Sequence, residues 1–218
     1  HYCFSDKNNG LGPSIISGVT EIIEKYERVI VLEDDLTVAR GFLSFMNTML
    51  DAYETDSRIM QVTGFSTKHF IPADYSLDVY LNRRGESWSW GTWKDRWKTI
   101  DWNVSDYSSL LNDRRRRRQF NGIGSDLFAM LKDYMEGKNK SWAIRLCYSM
   151  FVQGKYTLCP VLSLVINYGF DDSATNCNGS FNRYKIEFNN TQLSFRPEPN
   201  VRYNRRIDKS ANRFWTLR

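Results

Sequence analysis

Val29-Ile-Val-Leu-Glu-Asp-Asp35 is the stretch on which the reading of this chain turns. Four consecutive apolar residues, three of them β-branched, predict a short strand buried on both faces, although periodicity alone leaves a helix segment open. That strand runs directly into three carboxylates. Adjacent acids repel one another and resist desolvation, so a core strand that ends in them suits a cation or a polar substrate. In open α/β sheets ligands bind beyond the carboxyl ends of the strands, and Glu33, Asp34 and Asp35 are expected there. The alternative is that they cap the helix that follows.

Outward from this stretch, Ile15, Ile16, Val19, Ile22, Ile23 and Tyr26 recur at helical spacing and predict a helix over 14–26, with Pro13 in its first turn. Phe42, Phe45, Met46, Met49, Leu50 and Tyr53 predict a second helix over 40–55, and 58–63 a strand that stops at Gly64. Helix, strand, helix, strand is the alternation of an α/β domain with a mostly parallel sheet. A further strand is expected over 76–82. Trp90, Trp93 and Trp97 share one helical face at i, i+3 and i+7, which predicts core packing for Trp93 and Trp97. Trp88 and Trp90 stand in a Gly/Ser-rich turn, where an aromatic wall against a sugar ring competes with core packing. Residues 99–121 read as a loop with a short helix near 107–111. Helices follow from Leu127 to Gly137 and over 141–152, the latter with Ser141 as N-cap. Short strands are expected over 156–159, 161–166 and 184–188, with a loosely ordered tail to Arg218.

The chain has 218 residues, enough for one domain with a sizeable core, and a single domain is expected over 1–218 with its core in 8–177 and an extension over 178–218. The net charge of +5 comes from 30 basic and 25 acidic residues spread along the sequence and by itself says little about a nucleic-acid partner; with no motif that recognises bases, none is expected. Arg114 to Arg118 form the one basic block, read as a solvated helix face or loop, with docking to an anionic lipid, a pyrophosphate-linked carrier or nucleic acid as the rival reading. Cys3, Cys147, Cys159 and Cys177 form no CxxC pair, and His1 and His69 are too few to complete a zinc site. A reduced, cytoplasmic chain is expected, with contact at the inner face of a membrane left open. No apolar run reaches the roughly 20 residues of a membrane span. The first residue is His and not Met, which suits a processed product or a fragment.

Four stretches then occur in order: Leu32-Glu-Asp-Asp-Leu36, Ser89-Trp-Gly-Thr-Trp-Lys-Asp-Arg-Trp97, Ser141-Trp-Ala-Ile-Arg145 and Asn167-Tyr-Gly-Phe-Asp171. Together they resemble the bacterial sugar transferases related to N-acetylglucosaminyltransferase I, which have a GT-A fold and act on surface polysaccharides. The resemblance implies that the acidic triplet is a variant Asp-x-Asp motif, with Asp35 as ligand of a divalent metal, usually manganese or else magnesium, on the donor diphosphate. Glu33 and Asp34 would face the donor. Inversion requires a base, for which Glu86 is the first candidate and Asp95 the second. Trp88, Trp90 and Asp171 are the expected acceptor contacts. This sequence departs from the pattern at Asn176, where relatives often carry His, and before Asn8, where the strand and helix that hold the nucleotide base are expected and none is read.

The expected function is transfer of a sugar from a nucleotide-sugar donor to a hydroxyl of a glycan or lipid-linked acceptor. Two rivals stand beside it: a non-catalytic carbohydrate-binding or scaffolding domain, and a two-metal nucleotidyltransferase or phosphodiesterase. The last would draw on more carboxylates, and only Asp171 and Asp172 offer themselves.

Overall fold

A computed structural model describes residues 6–169, 186 and 188–215. Helix α1 (Leu11–Tyr26) leads into strand β1 (Arg28–Val31), the turn that carries the acids, and a short strand β2 (Leu36–Val38). Helix α2 (Phe42–Ala52) and strand β3 (Ile59–Thr63) follow as expected, then β4 (Val79–Asn82) and β5 (Trp90–Trp93). Helices α3 (Lys94–Trp97), α4 (Tyr107–Asn112), α5 (Arg114–Asn121), α6 (Leu127–Met135) and α7 (Ala143–Gln153) precede β6 (Tyr156–Pro160), β7 (Val165–Asn167) and α8 (Arg205–Arg213).

The main sheet has five strands in the order β1-β5-β3-β6-β4. Only β3 and β6 run parallel; β1 with β5, β3 with β5, and β4 with β6 are antiparallel. The architecture is therefore α/β with a mixed sheet, which corrects the expected mostly parallel one. The cause is the tryptophan stretch, whose first half is a strand inserted between β1 and β3. Trp90 and Trp93 are an odd number of residues apart on that strand and so face opposite sides. Trp90 stacks on Trp97 at 5.7 Å and meets Trp142 at 5.2 Å. Trp93 enters the cluster on the α2 face and donates its indole N–H to the Leu50 carbonyl at 3.0 Å.

Helix α2 covers one face of the sheet through Phe42, Phe45, Met46 and Met49, while α1 and α7 cover the other through Val19, Ile23, Leu146 and Met150. At the centre of β5, a Cβ on Gly91 would come within 2.9 Å of the Val29 carbonyl, so this position needs glycine for the strand to approach β1 closely. Strand β1 is half-buried along its length and lies at the sheet edge, not buried on both faces. Strands β2 and β7 form a separate antiparallel ladder.

Three further expectations are corrected. Residues 99–121 hold two helices, and the arginine run is the second of them, started by Asp113, whose carboxylate accepts from the Arg116 N–H at 2.9 Å. Ser141 does not cap α7; its own N–H bonds Asn139 Oδ1 at 3.0 Å, and the cap position is Trp142. The last described segment is no loose tail, because α8 buries Ile207 and Ala211 against Tyr80 and Cys159. Of the strand expected over 184–188, only Ile186 and Phe188 are described, and Phe188 forms an isolated bridge to Ser163. Among the described residues no helix is long and apolar enough to cross a membrane.

The helix α8 is fixed by one buried acid. Asp208 is fully buried and accepts from Arg83 Nη2 at 2.6 Å, Arg83 Nε at 2.9 Å, the Tyr203 hydroxyl at 2.8 Å and Asn212 Nδ2 at 3.1 Å. Removing one partner of such a pair leaves the other charge partly desolvated. Asp208→Ala is expected to lower unfolding stability by about 3–5 kcal/mol in urea titrations, with α8 the first element to lose amide protection.

Candidate active site

The register of β1 on β5 decides what lies at the carboxyl end of the first strand. Val31 pairs with Trp90 and Arg28 with Trp93, so the acids that follow Val31 and the Trp88-Ser89 turn that precedes Trp90 share one end of the sheet. Strand β3 ends there too, with Thr63 opposite Trp90. Its hydroxyl donates to the Trp88 carbonyl at 3.0 Å, and the Gly64 N–H donates to the Ser89 carbonyl at 2.9 Å. Ser89 is held at φ 51°, left-handed backbone that a residue with a side chain enters at a cost of about 1–2 kcal/mol. Its hydroxyl is buried with no hydrogen-bond partner.

Glu33, Asp34 and Asp35 form the turn between β1 and β2. Asp34 is exposed, and Glu33 and Asp35 are half-buried. Desolvation first, then the charges of Asp35 and Asp34, raise the Glu33 pKa to about 7. The β2–β7 ladder extends to Asp35, whose carbonyl accepts from the Tyr168 N–H at 2.9 Å. One carboxylate oxygen of Asp35, Oδ1, is buried with no partner among the described residues. The other occupies the space that a side chain on Gly169 would need, since an ideal Cβ there would lie 2.2 Å from Oδ2. Gly169 is in turn held by Asn167, whose Oδ1 accepts its N–H at 2.6 Å.

Glu86 lies on the segment that returns from β4 to β5 across the sheet. Three polar side chains inside the core strands hold this segment: Gln61 donates to the Glu86 carbonyl at 3.1 Å, Thr157 to the Arg84 carbonyl at 2.7 Å, and Thr63 to Trp88 as above. The Glu86 side chain is 6% exposed, and burial pushes its pKa up to about 8 against the lowering effect of Arg84. Arg84 is itself tied to Asp126 by two bonds at 2.8 and 2.9 Å.

The structure brings Glu33, Asp34, Asp35 and Trp88 to one end of the sheet and leaves two expected site residues elsewhere. Trp90 is 1% exposed inside the tryptophan cluster and presents no wall to a ligand. Asp95 sits past the opposite end of β5, where the Lys94 N–H bonds the Glu27 carbonyl at 2.8 Å, and its carboxylate is exposed and paired with Arg96 at 2.7 Å. Asp171, Asp172, Cys177 and Asn176 lie outside the described residues. Among those described, no three His, Cys, Asp or Glu side chains converge on a metal position. Trp88 is half-buried, edge-on to Phe65 at 4.7 Å.

Ser89, Asn167 and Gly169 were not singled out as site residues from the sequence. Polar residues inside apolar strands, Gln61 and Thr63 in β3 and Thr157 in β6, were the legible sign that something polar crosses the sheet there. Compared with protein-family models and with curated proteins, the chain matches none.

A carboxyl whose pKa is raised on folding binds its proton more tightly in the native state than in the unfolded chain. Its contribution is fully present below the unfolded pKa near 4.5 and is lost as pH rises through about 8. Urea midpoints of the protein are therefore expected to fall between pH 5 and 8, with Glu33, raised to about 7, adding to the fall; Glu86→Gln, which keeps the shape without the ionisation, is expected to make the slope shallower and leave the part due to Glu33.

Proposed function

We propose that the chain is a glycosyltransferase domain with a GT-A-like fold, moving a sugar from a nucleotide-sugar donor to an acceptor hydroxyl with inversion and with a divalent metal. The observation that carries this reading is Asp35: a carboxylate at the end of a sheet strand, one oxygen buried without a partner among the described residues, in a space kept open by Gly169. An orphaned buried oxygen of this kind costs stability unless something fills its coordination. The donor set suits manganese or magnesium, which take one or two carboxylates and complete their shell with water and substrate phosphates. It does not suit zinc, which wants a cage of nitrogen and sulfur ligands.

In this reading Asp35 holds the metal, which when bound would neutralise charge on the leaving nucleoside diphosphate. Glu33 and Asp34 face the donor, and the Trp88 turn borders the acceptor. Glu86 accepts the proton of the acceptor hydroxyl, and its raised pKa makes it a strong base once ionised. The depth of Glu86 favours a second reading, a carbohydrate-binding domain without turnover, because a sealed carboxyl is poorly placed to meet an incoming hydroxyl. Asp171 as an acceptor contact belongs to the proposal as an expectation from the resemblance, and the cytoplasmic setting as an expectation from the cysteine content.

Isothermal titration with nucleoside diphosphate is expected to show binding that requires manganese and is lost in Asp35→Ala. Gly169→Ala, which displaces the Asp35 carboxylate and changes no charge, is expected to weaken it in the same direction. Metal-independent binding indifferent to both variants would overturn the site. Mass spectrometry of products from a mixed nucleotide-sugar pool separates the two readings. Turnover that rises with pH towards 8 and falls about 10²–10⁴-fold in Glu86→Gln supports the transferase; saccharide binding with no product supports the second.

A further inference from the structure

A cleft of about 1090 Å³ opens between the first turn of α1, the turn at Trp102 and the connection from α6 to α7. Glu33, Asp34, Asp35, Glu86 and Trp88 take no part in its walls. Arg145, from the first turn of α7, lies in it. Its guanidinium sits 4.6 Å from the Tyr134 ring centre and 5.4 Å from that of Trp102, and Nη1 donates to the Trp102 carbonyl at 2.9 Å. Its Nε is buried with no hydrogen-bond partner. Arg83, Arg84 and Arg96, also withdrawn from solvent, each pair with a carboxylate. Among the described residues Arg145 pairs with no carboxylate; burial lowers its pKa, and the opposing effect comes from Tyr134.

The described residues that line the cleft add positive charge and include no acid. Lys140 lines the same cleft and is exposed. The 16-residue helix α1 begins there with no acidic residue in its first turn and no side-chain cap, and a Cβ on Gly12 would stand 3.6 Å from Arg145 Nη2. The positive end of a helix dipole thus lies near a guanidinium, with the backbone carbonyls of Lys140 and Trp102 beside them and no carboxylate in the cleft lining. Such an arrangement is repulsive until an anion enters, and the anion then gains from both.

We propose that this cleft is an oxyanion site for a phosphate-bearing ligand, with the phosphate bound by Arg145 and Lys140 and the remainder lying along Leu11 and Ile16. A phosphate monoester carries close to two charges at neutral pH and offers three acceptor oxygens, which matches two cations and a helix end better than a carboxylate does. The tyrosine and tryptophan rings fix the guanidinium plane in place, so binding orders little that is not already ordered. This inference does not depend on the transferase reading.

The test follows thermal unfolding of the whole chain in increasing inorganic phosphate at constant ionic strength, with acetate as the carboxylate arm. The wild-type protein is expected to show a saturable rise in Tm with phosphate and a weaker one with acetate. Arg145→Gln is expected to shift half-saturation upward by about tenfold or more. Gly12→Asp adds a carboxylate beside Arg145 at a position where a Cβ makes ordinary van der Waals contacts, and is expected to abolish the phosphate response in a protein that still unfolds cooperatively without phosphate. A purely structural role for Arg145 predicts a lower Tm in Arg145→Gln with the phosphate response intact. That result, an equal response in Gly12→Asp, an equal response to acetate, or no saturable response up to about 50 mM phosphate overturns the proposal. Manganese-dependent nucleoside diphosphate binding through Asp35, measured in the same Gly12→Asp protein, reports separately on the transferase reading.

Discussion

The antiparallel pairing of β1 with β5 is the constraint on which the site depends. With Val31 opposite Trp90, the acids and the Trp88 turn meet at one end of the sheet. A slip of one residue would send Trp90 out of the cluster it forms with Trp97 and Trp142 and put its indole on the α2 face, where Gly91 now allows Leu50 and Met46 to pack. The register is therefore enforced by bulk: each tryptophan fits one face only. Because β3 and β6 are parallel and α7 runs back to β6, the first turn of α7 comes to the same end of the sheet as the acids, and so does that of α1, which runs back to β1.

A second constraint follows from the long return between β4 and β5. The segment must cross the sheet to start β5 at the correct end, and a crossing backbone carries polar groups that need partners. Gln61, Thr63 and Thr157 supply them from within strands that are otherwise apolar. The consequence is that Glu86 is carried beneath the surface with its segment and loses water, and its affinity for a proton rises. A structural need for crossing and a chemically tuned carboxyl have one origin.

The long helices and β3 were legible because their apolar residues keep a single period, and the position of the acids was legible because they directly follow the apolar run that forms β1. The order of the sheet was not. Trp90, Trp93 and Trp97 satisfy a helical spacing, yet Gly91 and Thr92 between them fit a strand, and the choice is made by β1 and β3 offering two open edges. The partnership of Arg83 with Asp208 is likewise invisible along the chain, since 125 residues separate them. It converts a polar C-terminal stretch, rich in Asn and Arg, into a docked helix. Gly169 reads as an ordinary turn glycine; only the position of Asp35 shows why a side chain has no room there.

The electrostatics of this end of the sheet form a single pattern. Glu33, Asp34 and Asp35 make no ion pair among the described residues, and neither does Arg145, although α1 and β1, consecutive in the chain, bring both sets to the same end. Elsewhere the protein neutralises its withdrawn charges: Arg84 with Asp126, Arg83 with Asp208, Arg96 with Asp95. Folding alone gives no reason to leave opposite charges unpaired, since each partly buried ion costs solvation and a partner would offset it. The fold instead keeps them on separate elements, with the acids on the β1–β2 turn and the guanidinium clamped between two rings. Held apart in this way, the two sets of charges do not compensate one another.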